Sequence, residues 1–240
     1  MEQLKEIMFI DIETVPVQPE YGLLTDNLQR EWQKKTKNVK SQTDANAEPA
    51  MLYTERAGIY SEFAKVVCIG FGSLQRNGND WEMRLKAVTN DDEKCLLNDF
   101  LDVLKRFQSY FPGMRFCGHN IKEFDIPFIC RRLVINGIAL PENLVLHNKK
   151  PWEVTHIDTL ELWRFGDHKN FTALSLLAEI FGIPSPKSDL DGSMVADVYW
   201  NEKDLPRIAS YCMQDVLTSA RVYLRLMGIY NIDVKPVFVK

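Results

Sequence analysis

What this sequence lacks narrows it first. Its five cysteines include no C-x-x-C pair, so a zinc ribbon or a paired-thiol redox motif has nothing to build on. Their number is odd and most sit inside apolar runs, which predicts buried free thiols and a reducing compartment. Histidine is scarce. His119, His147, His156 and His168 show no H-E-x-x-H or Cys/His ligand spacing, which argues against a structural zinc site. No apolar stretch approaches the ~20 residues that a membrane helix needs. The opening M-E-Q-L-K-E-I-M-F-I-D reads as a first strand rather than a signal peptide, so no membrane association and a cytoplasmic location are expected. There is no excess of positive charge either, since 29 Lys and Arg face 33 Asp and Glu for a net charge of −4. That excludes a protein that coats nucleic acid through a broadly basic surface. It leaves room for a site where acidic ligands gather cations. No repeat or low-complexity tail is visible, and 45% hydrophobic with 26% charged residues is an ordinary globular balance. One domain over residues 1–240 is expected.

Along the chain, Ile7 to Ile12 is a continuous apolar run, the pattern of a strand buried on both faces. It leads into D-I-E-T-V-P, where Pro16 cannot extend a ladder. Residues 18–62 form a long connection with a plausible helix around Leu23, Leu24, Leu28 and Trp32, a polar patch at 41–49, and a second helical stretch from Met51 to Phe63. Lys65 to Leu74 reads as a strand, and Asn77-Gly78 as a hairpin turn. The strand that follows alternates Trp81, Met83, Leu85 and Ala87 against Glu82, Arg84 and Lys86. Asp91 or Asp92 caps a helix whose stripe of Leu96, Leu97, Phe100, Leu101, Leu104 and Phe107 is core. Arg115 to Gly118 is a further strand, and Phe124 to Asn136 a helix stopped by Gly137. Later segments read as helical: one capped at Asp158, one over Phe171 to Phe181 with Leu174, Leu177 and Ile180 on one side, and a long last helix opened by Asp204-Leu205-Pro206. The sum is an α/β domain with a mixed sheet flanked by helices.

Three acidic signals stand apart from this framework. Asp11 and Glu13 lie two apart on a strand and so point to one face; side by side they repel unless a cation neutralises them, and hard divalent ions suit such an oxygen site. Asp125 falls in a helical first turn just past a strand, where complementing the helix dipole is an ordinary alternative. Tyr211 and Asp215 are spaced i, i+4 on one helix face, a spacing that amphipathic helices also show without chemical purpose. Singly, each signal has a bland reading.

Taken in order, D-I-E-T on the first strand, N-x-x-x-F-D at a strand-to-helix junction and Y-C-x-x-D on the last helix resemble the motifs of the DEDD exonuclease superfamily, in its DEDDy branch. The wording is similar to the proofreading exonuclease domain of family B DNA polymerases and to short bacterial predicted exonucleases related to it. The resemblance spans Phe9 to about Leu226. It implies a ribonuclease H-like core: a mixed five-stranded sheet flanked by helices, with 18–62 a helical insertion after strand 1, and the site at the carboxyl end of the sheet. It also implies that Asp11, Glu13, Asp125 and Asp215 hold two divalent cations, Mg²⁺ or Mn²⁺, about 3.5–4 Å apart, while Tyr211 orients the attacking water. Thr14, Asn120 and Phe124 match positions that hold the substrate's 3′ end. The implied activity is 3′→5′ hydrolysis of phosphodiester bonds in single-stranded DNA, releasing nucleoside monophosphates. RNA trimming is the alternative, since the same metal chemistry serves both and the 2′-OH decides between them; a non-catalytic nucleic-acid-binding module is a third reading. With the motifs spread over the whole chain, no polymerase domain fits beside them, and a stand-alone enzyme is expected.

Other candidates have two readings. Lys187, in an apparent loop P-S-P-K-S-D, either holds a substrate phosphate or is a solvated lysine. Lys34, Lys35, Lys37 and Lys40 either track a strand or form a solvated helix face. Asp158 reads as a helix cap rather than a metal ligand, His119 as a strand-end residue, and Cys212 as buried packing, since a thiol nucleophile needs an adjacent base.

Overall fold

The computed structural model describes residues 2–39, 41, 47–78, 80–167, 169, 171–184, 190–230 and 232–239. Its elements run β1 (Ile7–Pro16), α1 (Asp26–Thr36), α2 (Pro49–Arg56), β2 (Ala64–Asn77), β3 (Asp80–Thr89), α3 (Glu93–Tyr110), β4 (Arg115–Gly118), α4 (Asp125–Ile135), β5 (Ile157–Asp158), α5 (Thr159–Arg164), α6 (Leu174–Ile180), α7 (Val195–Asp197), α8 (Leu205–Leu226) and β6 (Val234–Phe238). The strands form one mixed sheet in the order β5-β4-β1-β2-β3-β6. β1 is antiparallel to β2 and parallel to β4, so the most apolar segment of the chain lies inside the sheet.

The alternation of a strand sorts β1's side chains between two layers. Met8, Ile10 and Ile12 pack with Leu96, Phe100, Phe128 and Ile129 of α3 and α4. Ile7 and Phe9 face the other way, onto Val216, Leu217 and Ala220 of α8. Asp11 and Glu13 share the parity of Ile7 and Phe9, which places them on the α8 side. A bulge between Glu13 and Thr14 breaks the register with β2 at the end of this pair.

Local signals set most boundaries. Asn77 pairs with Asp80 across the hairpin turn, where Gly78 adopts φ +61°. The Asp92 carboxylate caps α3 by accepting from the backbone N–H groups of Lys94 and Cys95, and Gly137, at φ +69°, follows the end of α4. Pro206 sits in the first turn of α8 below an Asp204 cap. Two features depart from expectation. The sheet gains a sixth strand, β6, parallel to β3 at the edge. Only Val234 of V-K-P-V-F is buried, so no apolar pattern announces it, and Pro236 is tolerated because the strand lies at the edge. The helix expected over Phe171 to Phe181 shortens to α6, whose buried side is Leu177 and Ala178 while Ile180 is exposed. Packing with Val222 and Ile183 decides that face, not the Leu spacing. No helix among the described residues is long and apolar enough to cross a membrane.

The insertion between β1 and β2 has a core of its own. Trp32 is fully buried, donates from Nε1 to the Pro49 carbonyl at 2.8 Å, and meets Tyr53, Tyr60 and Phe63 edge-on at centroid distances of 5.0 to 5.9 Å. It is fastened to β1 at two levels: Val17 N–H donates to the Phe63 carbonyl, and Thr14 Oγ1 to the Gly58 carbonyl at 2.7 Å.

A buried ion pair ties the insertion's end to the helical layer. Arg132 of α4 meets Glu93 through Nε at 2.8 Å and Nη2 at 2.5 Å, and its Nη1 donates to the Ser61 carbonyl. Glu93 also accepts from Val66 N–H and from Asn136. Removing one partner of such a pair strands the other charge, at a cost of about 3–5 kcal/mol. Urea unfolding of Arg132→Ala should show that loss, and the double variant Arg132→Met/Glu93→Gln should lose less than the two single variants summed. Additive losses would show that the pair is not coupled.

Candidate active site

The site forms where α8 crosses β1 and β2. Asp11 stands opposite Gly70 in the β1–β2 register, and a Cβ on Gly70 would lie 2.7 Å from the Cys212 sulfur and 3.2 Å from its carbonyl carbon. Only glycine permits this approach, and the approach brings the face of α8 with Tyr211, Cys212 and Asp215 against the acids of β1. The Cys212 thiol donates to the Asp11 carboxylate and carbonyl, each at 3.4 Å. Ligand atoms of Asp11, Glu13 and Cys212 all lie within 4.8 Å of one another.

Asp125 arrives from the other layer as the first residue of α4. Its Oδ1 accepts the Ile12 N–H at 3.0 Å, so the β1 backbone between Asp11 and Glu13 is tied to it. The Tyr211 hydroxyl lies beside Asp215, one turn earlier on α8, and holds its carboxyl down. The four carboxylates therefore meet from β1, α4 and α8, although Asp125 and Asp215 flank the close Asp11–Glu13 group rather than joining it.

Their electrostatics are those of crowded buried anions. Burial first, then the charges of Asp125 and Asp215, raise Asp11 well above the usual carboxylate range. Burial and the Asp11 charge do the same to Glu13. Asp125 is pushed up to about 7 by burial, against the lowering effect of its backbone hydrogen bonds, and Asp215 to about 6 by burial, against the Tyr211 bond. The Tyr211 phenol is raised further above its ordinary value by burial and by Asp215, so at neutral pH it keeps its proton and donates. No ion pair among the described residues joins any of the four acids to a lysine or arginine. Hard oxygen donors that raise one another's pKa and are in no ion pair among the described residues fit a divalent cation of the Mg²⁺ or Mn²⁺ kind.

A cavity of about 260 Å³ opens beside Glu13. Thr14 and Phe124, both expected at the substrate, line it, and the insertion supplies the facing wall through Thr54, Gly58 and Ile59. Thr14's hydroxyl is already spent on Gly58, so its side chain fixes that wall. These insertion residues carried no motif; only tertiary packing reveals them. Lys187 and Lys40 lie outside the described residues. Lys34 pairs with Glu31 on an exposed surface, and Lys35 stacks over Tyr60, as a solvated helix face would.

Asp158 caps α5, accepting from Leu160 and Glu161 N–H, and it also accepts from the N–H groups of Asn120 and Lys122 at 2.9 and 3.0 Å. It thereby holds the turn in which Asn120 takes φ +64° and its carbonyl accepts from Phe124 N–H. His119 directly follows the end of β4, and its ring bridges Thr159 Oγ1 and the Thr172 carbonyl. All five cysteines are free, with Cys95 exposed rather than buried.

An α/β domain with acids gathered along the middle and carboxyl half of an interior strand is the class that fold and site define. Residues 59–232 match a family described as predicted 3′-5′ exonucleases related to the exonuclease domain of PolB, and the chain belongs to that family. The matched span includes Asp125, Tyr211 and Asp215; Asp11 and Glu13 precede it. No curated protein matches. Among solved structures, the family B DNA polymerase of the hyperthermophilic archaeon Pyrobaculum calidifontis aligns at a TM-score of 0.58 with 15% identity, over 92% of this chain and 24% of that one. The chain thus spans about a quarter of the polymerase's length, and at this identity the likeness is one of fold, the ribonuclease H-like fold of a PolB exonuclease domain.

The raised carboxylates predict an unusual pH profile. A folded-state pKa of about 7 for Asp125 and about 6 for Asp215, above the ordinary 3.8, means that the folded protein holds protons which the unfolded chain releases. That stabilisation is complete below about pH 4 and is lost as pH rises through about 6–7. In chelator, Tm should fall between about pH 5 and about pH 8. Mg²⁺ or Mn²⁺, or the substitution Asp125→Asn, should flatten the fall by several degrees, as about 2–4 °C per kcal/mol applies to a chain of this size. A Tm that rises over this range in chelator contradicts the charge assignment.

Proposed function

We propose that the protein is a two-metal-ion 3′→5′ exonuclease of the DEDDy type, hydrolysing single-stranded DNA from its 3′ end to nucleoside monophosphates. The observation that carries this reading is the meeting of four carboxylates from β1, α4 and α8, none in an ion pair among the described residues, beside the Tyr211 hydroxyl. Asp11, Glu13, Asp125 and Asp215 would hold the cations. Bound there, divalent ions supply a polarised water and neutralise charge developing on the phosphate and the leaving oxygen. The chain's own residues do the positioning. Tyr211, protonated and anchored to Asp215, offers a phenol oxygen to orient a water rather than a base to ionise it. Asp125, through the Ile12 N–H, locks the strand segment that carries Asp11 and Glu13. Phe124 presents a ring face to the terminal nucleoside, a contact tolerant of sequence as an exonuclease requires. Thr14 braces the opposite wall, and Asn120 shapes the turn leading to Phe124.

End-labelled single-stranded DNA and RNA, incubated with Mg²⁺ or Mn²⁺, test this. A ladder receding from the 3′ end of DNA is expected, abolished by chelator. Asp11→Ala and Asp215→Ala should each lower the rate by about 10³-fold or more, equivalent to about 4 kcal/mol of transition-state stabilisation, and Tyr211→Phe by a smaller factor, because it removes an orienting contact and no general base. Faster trimming of RNA moves the substrate assignment to RNA with the same residues. No cleavage of either polymer with either metal sinks the enzymatic reading.

A further inference from the structure

A second cavity, of about 410 Å³, lies beyond the β4–α4 loop from the acids. Lys122 and Glu123 of that loop line it, while Phe124, the next residue, lines the cavity beside Glu13. One short loop therefore separates the two. Its walls include Pro127, Leu146, Val154 and Leu160, flat apolar surface of the kind that covers an aromatic ring. Four buried side-chain atoms without a hydrogen-bond partner belong to residues lining it: Asn120 Oδ1, Arg164 Nε and both ring nitrogens of His156. The cavity beside the acids gathers none. His156 is only 7% exposed, with its ring edge-on to Phe116. Burial, with the charges of Lys122 and Lys149, lowers its pKa to about 4. At neutral pH it is therefore an uncharged imidazole with one donor and one acceptor. Buried polar groups are ordinarily paired, and four unpaired atoms on residues that line one apolar cavity point to a ligand with a polar edge, met when these side chains turn toward it.

We propose that this cavity takes one nucleobase, with Lys122 and Arg164 meeting the phosphate attached to it. The volume is near the low end of ligand pockets, about 300–1,000 Å³, and suits a single nucleotide. A base is planar and apolar on its faces, and its edge carries both donors and acceptors, one of which a single nitrogen of a neutral imidazole can pair with. Rotation of the His156 ring about its broad χ2 torsion turns a ring nitrogen toward that edge. Lys122 and Arg164 are now held by Glu161 at 2.6 Å and Glu123 at 3.4 Å; partly exposed pairs of this kind contribute little and yield readily to a phosphate. The base comes either from the substrate strand, upstream of the scissile bond, or from a free nucleoside monophosphate. The strand as source rests on the exonuclease reading; the cavity's chemistry does not.

Binding measured in chelator, where nothing is cut, separates the two ideas. The full chain is titrated with adenosine 5′-monophosphate, with ribose 5-phosphate, and with a short phosphorothioate DNA strand carrying one abasic site at each position in turn. The monophosphate should bind about tenfold or more tighter than ribose 5-phosphate and should shift the His156 ring resonances, identified by their loss in His156→Phe. One internal abasic position should weaken the strand by a similar factor. Val154→Trp, which fills the cavity, should erase both differences, and His156→Phe should reduce them if the tryptophan variant does not fold. Monophosphate binding with no abasic effect supports the cavity and assigns it to free nucleotide. Equal affinity for the two phosphates with no abasic effect overturns the proposal, as do differences that persist in both variants. Failure of cleavage in Mg²⁺ or Mn²⁺ leaves these readings unchanged.

Discussion

Four carboxylates drawn to one end of the sheet repel one another, and burial removes the water that would screen them. Everything near the site is arranged around that repulsion. Asp125 is moderated by the Ile12 N–H and Asp215 by the Tyr211 hydroxyl, while the Cys212 thiol donates to Asp11. These are neutral donors. A lysine or arginine in their place would relieve the repulsion permanently and remove the reason for a cation to bind. Relief of that repulsion is what a divalent cation held there, as proposed, would gain.

Such strain persists only in a scaffold that holds the acids together against it. The β1 face supplies one part, with Ile7 and Phe9 packed under α8 immediately before Asp11. Gly70 supplies another, since any larger residue there would hold Tyr211 and Asp215 away from β1. The Glu93–Arg132 pair acts at longer range. It joins the start of α3 to α4, whose first residue is Asp125, and reaches the end of the insertion through the Ser61 carbonyl. A well-satisfied buried pair is weak evidence for stability in itself. Its position here fixes α4 relative to β2 and to the insertion that walls the cavity beside Glu13.

How far the sequence could be read depended on the range of the interaction that sets each feature. Local chemistry was legible: the caps at Asp92, Asp158 and Asp204, the Asn77-Gly78 turn and the stop at Gly137 each act within a few residues. The pairing of Asp11 with Glu13 and of Tyr211 with Asp215 followed from strand and helix periods alone. That Asp125 belongs with them did not, because its place is set by a bond across 113 residues; only the ordered motif pattern suggested it. β6 and the true buried face of α6 escaped notice because both are decided by partners distant in sequence. Asp158 shows the boundary within a single side chain. Its capping role was readable from D-x-x-E, whereas its hold on Asn120 and Lys122, 36 to 38 residues earlier, was not.

The insertion follows the same logic and changes what it means for the chain to have one. The connection reads in sequence as a helical insertion without a motif, and its described residues close an aromatic core around Trp32. Because Thr14 sits at the bulge that ends the Asp11–Glu13 pair and bonds to Gly58, the insertion is referenced to the acids rather than to the surface. A wall held that way cannot drift relative to the carboxylates without breaking β1. The width of the cavity beside Glu13 is therefore a property of the fold, set by the side chains of Thr54 and Ile59 across from Phe124. On the proposed activity, the fit of a terminal nucleoside is governed by a segment that takes no part in the chemistry, and substitutions there alter substrate preference while leaving the charge balance of the site intact.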